Sequence, residues 1–148
     1  KEGDLFKPTA LDIAANDIAV IWVGRNNAHE LDTVLLDVLR IYNLFAKVTS
    51  RIIVLSVING EAEYTGTTSH SSITAINEQL KFEFGDSYLD IRQVLIESYD
   101  PNESQSVIDY EKGTTPSSLR EDNVHLNAAG NQIVAYTLYS HMLDHGWL

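Results

Sequence analysis

The sequence predicts an α/β fold built around a parallel sheet. Short, continuously apolar runs alternate with longer segments whose apolar residues recur at helical spacing, and no repeat or linker divides the 148 residues. Such runs are typical of strands that are buried on both faces, as in parallel sheets. The order strand–helix–strand–helix–strand–helix is that of an open parallel sheet. We therefore expect one domain over residues 1–148.

The first half of the chain supplies two predicted strands with a helix between them. Residues 17–24 form an apolar run that ends at a glycine. Residues 31–48 follow with apolar side chains at a helical period. Residues 51–58 form the second apolar run and predict a second buried strand.

The second half predicts two more helices and a third strand. Residues 61–70 are polar and predict a loop, and a serine cap at 71 or 72 favours a helix to about residue 84. Residues 88–96 alternate in part and predict a third strand or an irregular extended piece. Residues 98–120 are rich in turn-forming residues and predict a long loop, which in proteins is often functional. The last predicted helix covers about residues 127–143.

The first predicted strand is too apolar to lie at the edge of a sheet. Residues 18–23 are all apolar, and an open apolar edge strand invites aggregation. We therefore expect this strand to be paired on both sides. Its second neighbour would be an upstream segment or a second chain that completes the sheet.

Composition excludes several classes of partner and cofactor. The formal net charge of −11 at pH 7 argues against binding to nucleic acid or to an anionic membrane. No apolar run approaches the roughly 20 residues that a membrane-spanning helix needs. The absence of cysteine removes thiol catalysis and thiolate metal sites. The remaining histidines lack ligand-like spacing with carboxylates, so we expect no metal and no cofactor, and we interpret Trp22 as a packing residue.

Asp122 and His125 are the most suggestive pair of residues in the sequence. They lie three residues apart in a segment that leads into the last predicted helix. At this spacing a carboxylate can accept the ring N–H of the histidine and leave the other ring nitrogen free as a base. The alternative is that Asp122 caps the helix and His125 is an ordinary surface histidine.

Asn26 follows the first predicted strand and Gly24. Ligands of open parallel sheets bind beyond the carboxyl ends of the strands, so we expect Asn26 and the Asp122–His125 segment at the same rim. An asparagine amide there can donate a hydrogen bond to an oxyanion. The alternative is an ordinary turn, because Gly-Arg-Asn-Asn is favourable turn chemistry.

Two segments together resemble the SGNH/GDSL-type hydrolases. Residues 23–27 (VGRNN) resemble the G-x-N-D block of that family, and residues 118–130 (SLREDNVHLNAAG) resemble its terminal D-x-x-H block. The resemblance implies a flavodoxin-like, three-layer α/β/α sandwich with a parallel sheet, whose first strands are missing from this chain. It also implies that His125 is the general base, Asp122 its orienting carboxylate and Asn26 an oxyanion-hole donor.

The sequence departs from the family pattern at three points. Asn27 replaces the usual aspartate of the G-x-N-D block, and the nearest match to the glycine of the second block is Gly3. The block that carries the nucleophilic serine has no counterpart. Residues 85–88 spell Gly-Asp-Ser-Tyr, but they follow a predicted helix and precede a strand, whereas a nucleophile turn needs strand, turn and then helix. We therefore interpret Gly85 as a helix end and do not assign Ser87 to catalysis.

The resemblance leads to two functional hypotheses. The first is a serine ester hydrolase that removes O-acetyl groups from carbohydrates, with the nucleophile supplied by a segment outside this chain. The second is a non-catalytic, truncated module for glycan binding or assembly in a larger protein. Residues 85–92 and 116–120 resemble hydrolase domains attached to phage tails and other surface proteins, which favours an extracellular or virion-associated location.

Overall fold

The computed structural model describes residue 14 and residues 17–148. Gly3, the nearest match to the second-block glycine, lies outside the described residues. The described residues form a mixed α/β structure whose sheet has three parallel strands in the order β1-β2-β3. The strands are β1 (Ala19–Ile21), β2 (Ile52–Leu55) and β3 (Tyr88–Leu89). The predicted α/β class and parallel pairing are confirmed, and the arrangement is consistent with a flavodoxin-like fold.

Five α-helices accompany this sheet in the described part of the chain. They are α1 (Leu31–Phe45), α2 (Thr68–Phe84), α3 (Ile91–Glu97), α4 (Ser104–Glu111) and α5 (Ala128–Asp144). Helices α1 and α5 agree with the predicted positions to within a few residues. Helix α2 begins before the predicted serine caps, because the Thr67 side chain accepts a hydrogen bond from the backbone N–H of His70.

The central strand β2 divides the hydrophobic core into two clusters. All four of its residues are buried, and successive side chains of a strand point to opposite faces. Ile52 and Val54 pack in one cluster with residues of α1 and α2. Ile53 and Leu55 pack in the other cluster with residues of α3 and α5.

The prediction of a third strand over residues 88–96 was wrong beyond Leu89. After β3 the chain turns into α3, and the Asp90 side chain caps this helix by accepting the backbone N–H of Gln93 at 3.1 Å. Ile91 and Leu95 are fully buried, and their spacing of four residues is a helical one. The sequence analysis did not detect this helical period, because residues 88–96 also alternate in part between apolar and polar side chains.

Residues 98–120 are also more ordered than the sequence predicted. Helix α4 lies in the middle of this segment, and its buried residues are Ser106 and Asp109 rather than apolar ones. The Ser106 hydroxyl accepts the backbone N–H of Asp100, and the Asp109 carboxylate accepts the backbone N–H of Ser117. Because polar contacts hold this helix, hydrophobic periodicity could not have revealed it.

Strand β1 has one open flank in the described structure. It pairs with β2, and among the described residues no second strand lies beside it, so the expected pairing on both sides is not met there. Val20 in the strand and Trp22 just after it keep 40% and 38% of their surface exposed. No helix in the described part is long and apolar enough to cross a membrane.

Candidate functional site

The turn after β1 places Asn26 at the carboxyl edge of the sheet. Gly24 begins the turn with a φ of 101°, a left-handed conformation that glycine adopts readily. A Cβ atom at Gly24 would also lie only 2.7 Å from Cγ1 of Val34 in α1. Residues Arg25–Asn27 then form one 3₁₀ turn. Among the described residues the Asn26 side chain has no hydrogen-bond partner, so its amide is available to a ligand.

A short, closed loop presents His125 beside this turn. Arg120 and Leu126 form an antiparallel bridge, and within it the backbone N–H of Glu121 donates to the carbonyl of His125 at 2.8 Å. The loop is followed by Asn127, whose side chain accepts the backbone N–H groups of Ala129 and Gly130 and caps α5. The alternative interpretation of Asp122 as the cap of this helix is therefore wrong.

The Asp122 carboxylate holds both the backbone and the ring of His125. Its Oδ1 atom accepts the backbone N–H groups of Val124 at 2.8 Å and His125 at 2.7 Å. Its Oδ2 atom lies 2.7 Å from Nδ1 of the His125 ring. The hydrogen bonds from the backbone of His125 and Val124 and from the ring hold the pKa of Asp122 far below its ordinary range. An ionised Asp122 accepts a hydrogen bond from Nδ1–H, so the neutral ring keeps its lone pair on Nε2.

His125 and Asn26 line the same cavity, which has a volume of about 670 Å³. A cavity of this size lies within the usual range for a small-molecule site. The side chain of His125 is 78% exposed, whereas Asp122 is not among the lining residues and contacts the ring at Nδ1. The lining residues are Trp22, Val23, Arg25, Asn26, Val57, Ile58, Val124, His125, Leu126 and Asn131. The structure thus brings the three predicted site residues together on one rim.

Trp22 is a site residue that the sequence interpretation missed. It lines the cavity, and its indole N–H donates to the carbonyl of Ser56 at 3.1 Å. This hydrogen bond fixes the ring beside the end of β2 while part of it stays open to solvent. Because Trp22 lies in an apolar run, the sequence favoured a packing role. Its position at the end of the first strand could have indicated a site residue, since ligands bind beyond the carboxyl ends of parallel strands.

Arg120 is a second residue that the sequence did not identify. Its side chain is 4% exposed, and its guanidinium donates to the carbonyls of Thr115 at 2.9 Å and Asp122 at 3.0 Å. Glu61 lies 3.6 Å away as its ion-pair partner. Arg120 therefore stabilises the loop that carries Asp122 and His125. No sequence motif indicates this role.

The described part of the site contains no nucleophile. None of the residues that line the cavity is serine, threonine or cysteine. Ser87 lies elsewhere, in the 3₁₀ turn Gly85–Ser87, where its hydroxyl is 3.4 Å from that of Tyr42. Gly85 ends α2 with a φ of 47°, as predicted. Within the described residues no group of three or more histidine, aspartate or glutamate side chains is placed to hold a metal ion.

Comparison with known proteins gives one informative similarity. No protein-family model matches the chain. A tail spike protein of Salmonella phage epsilon15 is 33% identical to it over 116 residues, which is 74% of this chain and 10% of that protein. The chain thus spans about a tenth of the length of the relative that it resembles.

Proposed function

We propose that this chain is the C-terminal part of an SGNH-type serine ester hydrolase, whose nucleophile comes from a segment outside the chain. The observation that carries the proposal is the Asp122–His125 pair, with Nδ1 engaged at 2.7 Å and Asn26 in the same cavity as the ring. An acid, a base and an oxyanion donor on one rim are the parts of an acyl-transfer site that accompany a serine.

The mechanism assigns one role to each residue. Asp122 keeps the proton of His125 on Nδ1, and Nε2 removes the proton of the incoming serine hydroxyl as that oxygen attacks the ester carbonyl. Asn26 donates a hydrogen bond to the oxyanion of the tetrahedral intermediate. His125 then gives the proton to the leaving alcohol. Water repeats the cycle on the acyl-enzyme and releases the acid.

The open flank of β1 is where the missing nucleophile would enter. In a three-layer α/β/α sandwich, a further parallel strand beside β1 would cover its open edge and bring the following turn to the same rim as Gly24. The exposed side chain of Val20 would then pack against that added segment. The proposal therefore accounts for an apolar strand that has no second strand beside it among the described residues.

A carbohydrate O-acetyl ester is the substrate class that fits best. The formal net charge of −11 disfavours anionic substrates. The partly exposed Trp22 ring offers an apolar surface with a polar edge beside His125, which suits a sugar face. Since the similar phage protein is a tail spike, we place the hydrolase within a surface-exposed or virion-associated assembly.

The test uses the complete protein, with any residues encoded before Lys1. We expect it to hydrolyse 4-nitrophenyl acetate and to release acetate from O-acetylated polysaccharide. His125→Ala should abolish both activities, while the control variant His29→Ala, which changes an exposed histidine, should leave them intact. Full activity in His125→Ala would remove His125 from the mechanism.

The second candidate function is a non-catalytic module that binds glycan or assembles within a larger spike. Two observations favour it, namely the absence of a hydroxyl or thiol nucleophile among the described cavity residues and the similarity to a tail spike protein. The two functions differ in one requirement. A strand followed by Gly-Asp-Ser in the residues encoded upstream supports the hydrolase. A complete protein that lacks this segment, hydrolyses neither ester and still binds the polysaccharide supports the module.

A further inference from the structure

A turn at residues 60–63 connects the two halves of the candidate site. The backbone N–H of Glu63 donates to the carbonyl of Gly60 at 3.0 Å, and the Glu63 carboxylate accepts the backbone N–H of Gly60 in return. The turn is thus closed on itself by a backbone bond and a side-chain bond. It lies between the Asn26 turn and the His125 loop and contacts both.

The first contact is an ion pair with the Asn26 turn. The same Glu63 oxygen that accepts from Gly60 lies 2.8 Å from Nη2 of Arg25, the residue next to Asn26. Both side chains are largely buried, with 31% and 21% of their surface exposed. Because the Arg25 side chain is held, the neighbouring peptide that carries Asn26 is restrained as well.

The second contact is a hydrogen bond to the His125 loop. The backbone N–H of Glu61 donates to the carbonyl of Asn123 at 2.9 Å, between Asp122 and His125 in sequence. A Cβ atom placed on Gly60 would lie 3.1 Å from that carbonyl and 3.2 Å from Nη2 of Arg25. Gly60 therefore lies between the two halves of the site, and a Cβ atom there would be in tight contact with both.

The opposite side of the turn is anchored in the buried core. Asn59 is 1% exposed, and its side-chain amide donates to the carbonyls of Glu63 at 2.8 Å and Gly113 at 3.1 Å. Its oxygen accepts from Nε of Arg92 at 2.9 Å. Because Asn59 is held in the core, the turn at residues 60–63 has a fixed position. It can therefore restrain both the Asn26 turn and the His125 loop.

We infer that Glu63 and Arg25 are positioning residues that set the distance between the oxyanion donor Asn26 and the base His125. This inference rests on the proposed function, because that distance matters only to a reaction in which both groups act. Neither residue needs to touch the reacting atoms. A displacement of about 1 Å in a catalytic group can lower turnover by about 10²-fold, so we expect loss of this ion pair to lower kcat measurably.

The kinetic test compares Glu63 variants in the complete protein with 4-nitrophenyl acetate. We expect Glu63→Ala to lower kcat by about 10–100-fold with a change in KM below about threefold, because a catalytic group is displaced while substrate binding is preserved. Glu63→Gln, which keeps an oxygen for Gly60 and Arg25, should stay within about fivefold of the parent. Glu78→Ala, which changes an exposed glutamate on α2, is the matched control and should equal the parent.

A double variant separates positioning from general stability. If Glu63 acts through Asn26, adding Glu63→Ala to Asn26→Ala should lower kcat by less than about threefold further, since residues that act as a unit are not additive. A full additional loss would overturn the positioning role. An unchanged kcat in Glu63→Ala alone would overturn it as well.

NMR spectroscopy tests the positioning role independently of ester hydrolysis. In the ¹⁵N-labelled chain, the side-chain amide signal of Asn26 and the backbone signal of His125 should both shift in Glu63→Ala and in Arg25→Met. They should shift in neither Glu78→Ala nor Arg40→Met, which changes an arginine of α1 whose side chain is 67% exposed. If the complete protein hydrolyses no ester, the proposed function fails and these signals alone decide the positioning. Unmoved signals in both variants would overturn it, and Arg25→Met covers the case in which Glu63→Ala does not fold.

Discussion

Asp122 contacts His125 twice, since Oδ1 accepts the backbone N–H at 2.7 Å and Oδ2 lies 2.7 Å from Nδ1 of the ring. The first bond fixes the position of the residue in its loop, and the second fixes the orientation and tautomer of the ring. The same carboxylate therefore determines both the conformation of the loop and the protonation pattern of the imidazole. The two functions of Asp122 can be separated by substitution.

The substitution Asp122→Asn should preserve the structure of the loop and remove the function of His125 as a base. The amide oxygen can still accept the backbone N–H of His125, but its NH₂ group then faces Nδ1 and donates to it. The ring proton moves to Nε2, where the base is needed. We expect kcat for 4-nitrophenyl acetate in the complete protein to fall by about 10²–10⁴-fold, with little change in the free energy of unfolding measured in urea. A variant with full kcat would show that the tautomer is immaterial.

Asn26→Ala should act on turnover and hardly on stability. The Asn26 side chain is exposed, and its amide has no hydrogen-bond partner among the described residues. Loss of one oxyanion donor typically lowers kcat by about 10²–10³-fold, and we expect that range in the complete protein with KM nearly unchanged. Asn27→Ala, in the next exposed position of the same turn, is the control. Equal losses in both variants would indicate an effect on the turn rather than on an oxyanion.

Gly130→Ala should destabilise the start of α5. A Cβ atom at this position would overlap the backbone carbonyl oxygen of Leu119 and lie 3.2 Å from Cβ of Leu126. Alanine gains about 1 kcal/mol over glycine in helix propensity, whereas overpacking against a backbone atom costs about 1–3 kcal/mol. Overlap with a backbone oxygen takes the upper part of that cost, about 2–3 kcal/mol, so we expect the free energy of unfolding in urea to fall by about 1–2 kcal/mol. Ala129→Ser, which adds an atom on the exposed side of the helix, should change it little, and an equal or higher stability of Gly130→Ala would contradict this packing.

Mild acid should destabilise the fold through His70. Burial and the guanidinium of Arg92, whose Nη2 atom lies 3.1 Å from Nε2 of the ring, lower the pKa of His70 from its ordinary value of 6.5. Glu111 of α4 lines the same cleft. Because the unfolded chain binds this proton more readily, the stability that depends on neutral His70 is complete above pH 6.5 and is lost as the pH falls below it.

The measurement is the free energy of unfolding at several pH values between about 7 and 5, where histidines titrate. His70→Asn should show a smaller loss on acidification than the parent chain. His29→Asn, at an exposed position, is the control and should follow the parent. The pKa of His141 is also lowered by burial, but His141 is present in every variant and cancels from the comparison. Identical slopes in His70→Asn and the parent would contradict the prediction.

The sequence by itself determined the α/β class, the parallel pairing of the first two strands and the approximate positions of α1, α2 and α5. These elements bury wide apolar faces, so the strands appear in the sequence as continuous apolar runs and the helices as apolar residues at a period of 3.6. The Asp122–His125 pair was also readable, because its geometry is local and spans three residues. Asn26 was predicted from its place after an apolar strand that ends at glycine.

Only the tertiary structure decided the features that depend on contacts between distant segments. Helix α4 is held by hydrogen bonds of the buried polar residues Ser106 and Asp109. Helix α3 begins at the Asp90 cap, within a segment whose partly alternating sequence predicted a strand. The connection from Arg25 through Glu63 and Glu61 to Asn123 joins four positions spread over about a hundred residues of sequence, and hydrophobic periodicity carries no information about such polar contacts. The physical reason is the same in each case, since apolar burial leaves a repeating pattern in the sequence, whereas a hydrogen bond or an ion pair between loops leaves none.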